Sequence, residues 1–292
     1  MEFAPVYSRL PGEINVKHNF AKSFLTLALF TALGICLLAC EAQPGAASNS
    51  SANTGTANAQ PGRENGSRAS GVRRISFNTP DGNRIVGSYY PIEQMNAPAV
   101  LMLHQWRGTR ADFESLAREF QAKGIAVLAI DGRGFGESTR PADGPAQPAR
   151  SAEAVKGMLS DVAGATAFLS GQQGVDRNRI GIVGASYGSS LAIMHSAADP
   201  TIKAVALVSP GLNYQASMAT EPAVKSYGAR PLLIVAAEDD SESAAASRRL
   251  DSVAAGDQHQ LKVYARGGHG NGLLHSDVGL DQLLLDFFVK NL

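Results

Sequence analysis

From Gly71 onward the apolar positions of the chain change period repeatedly, and each change predicts an element. "VRRISFNT" and "RIVGSYYPI" flank "PDGN", a β-hairpin pattern with its turn at Asp81-Gly82. "APAVLMLHQ" reads as a buried strand. In "RADFESLAREFQAKG" the apolar Phe113, Leu116 and Phe120 recur at helical spacing, and Gly124 supplies a stop. "IAVLAIDGRG" predicts a second central strand, and a polar connection, "STRPADGPAQPARS", leads into the helical "AEAVKGMLSDVAGATAFLSGQ". "RIGIVGAS" is a strand and "YGSSLAIMHSAA" a helix. "IKAVALVS", "RPLLIVAAE" and "QLKVYARGG" continue the strand series, and "GLDQLLLDFFVKN" is the last helix.

Strands that alternate with helix-length segments call for a mostly parallel sheet covered by helices. Central strands of such a sheet are buried on both faces and read as continuous apolar runs, as "VLML", "IAVLAI", "GIVGA" and "VALV" do. The expected fold class is therefore α/β, a three-layer α/β/α sandwich around a mostly parallel central sheet. No segment after Ser209 is long enough for a large lid, and residues 139–155 are expected to form a small flap.

Upstream of Gly71 the pattern is different. Arg9, Lys17 and Lys22 precede "SFLTLALFTALGICLLAC", an uncharged apolar run, which is the arrangement of a secretory signal. An uncleaved membrane anchor is the competing reading, since the run is close to the ~17-residue lower limit of a span. Residues 41–70 carry Gly, Ala, Ser, Asn and Pro without an aromatic or β-branched run, so they lack the apolar surface that would offset chain ordering. The expected organisation is a signal peptide over 1–39, a flexible linker over 40–70 and one folded domain over 71–292.

"LLAC", Leu37 to Cys40, resembles the lipobox of bacterial lipoproteins. The resemblance implies a diacylated Cys40 as the first mature residue and a membrane partner, because two acyl chains anchor stably where one does not. Attachment in the bacterial cell envelope follows, with the outer membrane favoured by Glu41 in place of Asp. A secreted or periplasmic protein is the alternative, with Cys40 a plain apolar residue of the signal.

Charge narrows the function classes. Lys and Arg total 26, as do Asp and Glu, so the 292-residue chain has no net field to draw it to nucleic acid. Both cysteines, Cys36 and Cys40, lie in the N-terminal run, which excludes a disulfide framework or cysteine metal site in the folded domain. The glycine-rich "DGRGFGES" has neither phosphate-binding spacing and is read as a supporting turn, with Asp131 and Arg133 structural. Arg107, Arg110, Arg133 and Arg140 are either solvated and locally paired or a positive entrance to a site.

The chemistry concentrates at Gly184-Ala185-Ser186-Tyr187-Gly188, a G-x-S-x-G stretch between a predicted strand and a predicted helix. In that setting the turn holds the serine out as a nucleophile, and the helix start aims backbone N–H groups at developing negative charge. A serine needs a base, and a base needs an orienting carboxylate. His269, in "ARGGHGNG", is the expected base, with His275 the runner-up. The acid is expected at the end of "LLIVAAEDD": Asp240 first, Asp239 as the alternative, then Glu238. Tyr187 N–H and an N–H from the "LMLHQWRG" turn form the expected oxyanion site, the second donor being Trp106 or Gln105, with His104 shaping the loop.

In this order the motifs "LMLHQWRG", "AIDGRGFGES", "RIGIVGASYGSS", "LLIVAAEDD" and "ARGGHG" make the chain from about Ile75 to Phe288 resemble the α/β-hydrolases. The resemblance is to the small dienelactone-hydrolase-like serine hydrolases and carboxylesterases. It implies Ser186 as nucleophile, Asp240 as acid and His269 as base, with no metal and no cofactor. Dienelactone hydrolases proper use a cysteine nucleophile, which argues against dienelactone as the substrate here, and many relatives have glycine where this chain has Gln105. The expected function is serine hydrolysis of a small ester through an acyl-enzyme. A peptidase or amidase of the same fold and a non-catalytic extracellular ligand-binding domain are the alternatives. The expected partner is a small acyl substrate, not nucleic acid.

Overall fold

The computed structural model describes residues 71–138, 152–214 and 218–292. The signal over 1–39, Cys40, the linker over 40–70, Arg140 and positions 139–151 of the expected flap lie outside the described residues; positions 152–155 belong to a helix instead.

In chain order the elements are β1 (Arg73–Asn78), β2 (Arg84–Tyr90), β3 (Ala97–Leu103), α1 (Glu114–Ala122), β4 (Ala126–Asp131), α2 (Ala152–Ser170), β5 (Val175–Ala185) and α3 (Tyr187–Ala198). There follow β6 (Ile202–Val208), β7 (Asn213–Tyr214), β8 (Met218–Ala219), α4 (Thr220–Tyr227), β9 (Leu232–Ala237), α5 (Ser241–Asp251), β10 (His259–Tyr264), α6 (Asn271–Leu274) and α7 (Leu280–Asn291). Eight strands form one sheet in the order β1-β2-β4-β3-β5-β6-β9-β10, while β7 and β8 form a separate two-stranded hairpin. Strand β2 is antiparallel to both β1 and β4, and every other pairing in the large sheet is parallel. The architecture is the α/β/α sandwich of the α/β-hydrolases.

Successive strand residues point to opposite faces, and this divides the core into two. On one face Leu101, Leu128, Ile182, Val205 and Ile234 pack under α2, α3, α4 and α5. On the other Met102, Val127, Val183, Ala206 and Val235 pack under α1, α6 and α7. Phe120 of α1 and Phe288 of α7 meet edge to face with centroids 5.8 Å apart, each fully buried. Burial of one such ring contributes ~1.5–3 kcal/mol.

The structure redraws several sequence boundaries. The first helix begins as a 3-10 turn over Arg110–Phe113, capped by Thr109, whose hydroxyl accepts from Ala111 N–H while Asp112 accepts from Thr109 N–H. Strand β5 starts at Val175, before "RIGIVGAS". Helices α4 and α5 and the β7–β8 hairpin have no counterpart in the sequence reading. In α5 the reason is visible: its buried face is Ser243, Ala244, Ala246, Ser247 and Leu250, almost all small, so the apolar period is faint.

Candidate active site

At the carboxyl ends of β5, β9 and β10, three distant side chains converge, the usual place for a site in an open α/β sheet. Ser186 links β5 to α3 with φ 54° and ψ −120°, a sparsely populated conformation that costs of the order of 1–3 kcal/mol. Its neighbours are glycines for steric reasons. A Cβ on Gly184 would lie 2.1 Å from the Gly188 carbonyl oxygen, and one on Gly188 would lie 2.5 Å from that of Leu103. The turn is pinned to the sheet by Ser186 N–H, which donates to Val208 O at 2.8 Å.

His269 bridges the other two residues. Its Nδ1 lies 2.6 Å from Asp240 Oδ2 and its Nε2 lies 2.7 Å from Ser186 Oγ. Beside an acceptor-only carboxylate, Nδ1 carries the proton, so Nε2 accepts the Ser186 hydroxyl. Asp240 is also the N-cap of α5, accepting from Ser243 N–H at 3.5 Å, which fixes its carboxylate between helix and imidazole.

The loop bearing His269 is held by three further side chains. Asp239 accepts from the N–H groups of Gly267 and Gly268 at 3.1 and 3.0 Å, and these bonds hold its pKa below the ordinary carboxylate range. Ser209 Oγ accepts from Gly270 N–H at 3.0 Å, and Gln105 Oε1 from Asn271 N–H at 2.8 Å. Of the three candidate acids, then, Asp240 faces the imidazole, Asp239 clasps its loop, and Glu238 pairs with Arg248 on the surface. His275 is exposed at the C-terminal end of α6.

The turn after β3 packs on the start of α3. His104 is buried, with Nδ1–H donating to Gln105 O at 2.7 Å and Nε2 accepting from Gly132 N–H at 3.0 Å. Burial lowers its pKa and keeps it neutral, as that bonding pattern requires. The Trp106 ring packs edge-on against Phe135 and Tyr187, with centroids 5.0 and 5.5 Å away. Tyr187 is the first residue of α3, so its N–H lies outside the intrahelical ladder.

Of the arginines grouped in the sequence, Arg110 and Arg133 are locally paired. Arg110 pairs with Asp131 and Glu137, while Arg133 is bonded to Asp161 and Asp81. The sequence pattern singles out neither Tyr214 nor Ser243, whose Oγ lies 3.2 Å from His269 Nδ1. Tyr214, on β7, places its Oη 3.1 Å from Ser186 Oγ and 3.4 Å from Ser209 O. No motif surrounds it in "PGLNYQAS", so only spatial proximity reveals it. Next to Tyr214 opens a cavity of about 610 Å³, lined by Leu212, Tyr214, Asp240, Glu242, Ser243 and His269 among others. Among the described residues, no cluster of three or more His, Cys, Asp or Glu side chains is arranged to hold a metal.

Comparison with known proteins places the chain in a family. Residues 87–273 match the description "Dienelactone hydrolase family". The chain belongs to that family. An uncharacterized protein of Mycobacterium tuberculosis is 29% identical over 229 residues, covering 72% of this chain and 77% of its own length. Among solved structures, an acetyl xylan esterase from Paenibacillus sp. R4 superposes with a TM-score of 0.65 at 17% identity, over 78% of this chain and 87% of that one. A dienelactone hydrolase from Anabaena variabilis gives 0.59 at 19% identity, over 76% and 98%. These two likenesses bear on the fold.

Proposed function

We propose that the protein is a serine carboxylic-ester hydrolase that cleaves small esters through an acyl-enzyme. The observation that carries this reading is the unbroken chain Asp240–His269–Ser186, with contacts of 2.6 and 2.7 Å, ending on a serine in a strained, glycine-flanked turn. Family membership and the hydrolase architecture support chemistry of this class on small substrates.

In the proposed cycle, Ser186 Oγ attacks the ester carbonyl as its proton passes to His269 Nε2. Asp240 keeps the imidazole in the tautomer that can accept it and stabilises the imidazolium. Tyr187 N–H and the Trp106 N–H receive the tetrahedral oxyanion; one such donor is worth about 3 kcal/mol. The carbon–oxygen bond to the alcohol breaks, and His269 gives that oxygen its proton. A water then loses a proton to His269, attacks the acyl-serine and releases the acid. No step calls for a metal or an organic cofactor.

A fluorophosphonate probe should label the wild-type protein at Ser186, and Ser186→Ala should abolish both labelling and hydrolysis of short acyl esters. Folded Ser186→Ala and His269→Ala proteins with normal turnover would overturn the proposal. Faster cleavage of peptides than of esters would move it to the amidase class.

We also propose envelope attachment through a diacylated Cys40, supported by "LLAC" after an apolar run and before a polar stretch. Palmitate incorporation that Cys40→Ala removes is the expected result.

A further inference from the structure

We propose that Tyr214 is a catalytic residue of this cycle, its hydroxyl donating to Ser186 Oγ when that oxygen takes up charge, above all as it departs in deacylation. The inference rests on the reading of Ser186 as nucleophile.

Proton accounting sets the direction of the contact. The Ser186 proton is committed to His269 Nε2 at 2.7 Å, so in the 3.1 Å contact between Ser186 Oγ and Tyr214 Oη the tyrosine is the donor, and Ser209 O, the other acceptor of that hydroxyl, is farther away at 3.4 Å. Burial raises the Tyr214 pKa, so the phenol stays protonated through the neutral range. The ring is held in place from two sides. Tyr214 pairs with Met218 across the β7–β8 hairpin, and the ring lies so close to Gly211 that a Cβ there would approach Cζ to 2.9 Å.

The consequence differs between the two half-reactions. In acylation the Oγ lone pair must form the bond to carbon, and a donor resting on that oxygen draws electron density away from attack. In deacylation the carbon–Oγ bond breaks and its electron pair returns to Oγ. His269 returns the proton it took from water, while Tyr214 donates a hydrogen bond to the same oxygen and keeps its own proton. A bond to a charged oxygen is about twice as strong as a neutral one, so the hydroxyl favours departure of Oγ over its attack.

The experiment is pre-steady-state hydrolysis of p-nitrophenyl acetate by the full chain. Tyr214→Phe retains the ring and is expected to lower kcat about tenfold. KM should fall with it, and a nitrophenolate burst approaching one per protein should appear, while fluorophosphonate labelling changes less than about twofold. A variant with 3-fluorotyrosine at position 214, the same shape and a stronger donor, should turn over within about twofold of wild type. Unchanged kcat in Tyr214→Phe, or parallel loss of kcat and labelling without a burst, would overturn the role, as would a fluorotyrosine protein that behaves like the Phe variant. Inactive Ser186→Ala with normal Tyr214→Phe would remove this inference alone; active Ser186→Ala would remove the parent reading.

Discussion

Gln105 Oε1 accepts the N–H of Asn271 at 2.8 Å, joining the turn after β3 to the loop that carries His269 across 166 residues of chain. The proposed oxyanion turn and the proposed base thus share one side chain. Gln105→Gly should lower kcat about tenfold with little change in thermal midpoint, because one hydrogen bond to a positioning loop is lost. Gln105→Glu keeps the accepting oxygen and should restore most of the rate. Steady-state kinetics of the two variants decides the matter.

The glycines around the nucleophile are required by backbone contacts rather than by turn propensity. A Cβ on Gly184 or Gly188 would press on backbone at 2.1 and 2.5 Å, where no flexible side chain can yield. Gly184→Ala or Gly188→Ala should therefore cost about 3 kcal/mol or more, toward the upper end for overpacking. Chemical denaturation would register the loss as a lower midpoint, together with loss of probe labelling.

Strain at Ser186 predicts opposite consequences for stability and activity. At φ 54° and ψ −120° a side chain is held in a conformation that glycine tolerates better. Both Ser186→Gly and Ser186→Ala remove the hydroxyl and should be inactive. Between those two, the glycine protein should be the more stable by about 1 kcal/mol, which is roughly 2–4 °C in thermal midpoint for a domain of this size. Equal midpoints would contradict the strain.

A buried charge network sets an acid limit on stability. Arg133 is 7% exposed and bonds Asp161, 1% exposed, together with the more open Asp81. Losing Arg133 strands the Asp161 charge, so Arg133→Ala should cost ~3–5 kcal/mol. Hydrogen bonding from Arg133 lowers the Asp81 pKa from 3.8 to about 2. A carboxylate with a depressed folded pKa releases its proton more readily when folded, so its contribution is complete above about pH 4 and is lost as pH falls through about 2. Thermal midpoints of Asp81→Asn should accordingly fall less steeply than wild type between pH 4 and 2.

Substrate charge should matter at the cavity lined by Tyr214 and His269. Its lining carries the carboxylates Asp240 and Glu242 beside the imidazole of His269, while Arg110 and Arg133 are paired elsewhere. Neutral acetate esters should be hydrolysed faster than matched esters with an anionic leaving group. Glu242 is exposed, so Glu242→Gln should narrow the difference only about two- to threefold, as expected for a screened surface charge. A variant with an unaltered kcat/KM ratio would count against the cavity as the leaving-group side.

What could be read without coordinates was what neighbours along the chain encode. The continuous apolar runs of β3, β4 and β9 announced strands buried on both faces, and the glycines about Ser186 announced a tight strand-to-helix turn, because period and backbone sterics are local. The tertiary structure decided which of three adjacent acids turns to the imidazole, since Asp240 and Asp239 differ only in the direction their carboxylates take at the start of α5. It also decided that Tyr214 reaches Ser186 and that Gln105 reaches Asn271. These contacts depend on the order of strands in the sheet, which brings together residues too far apart for any local pattern to record.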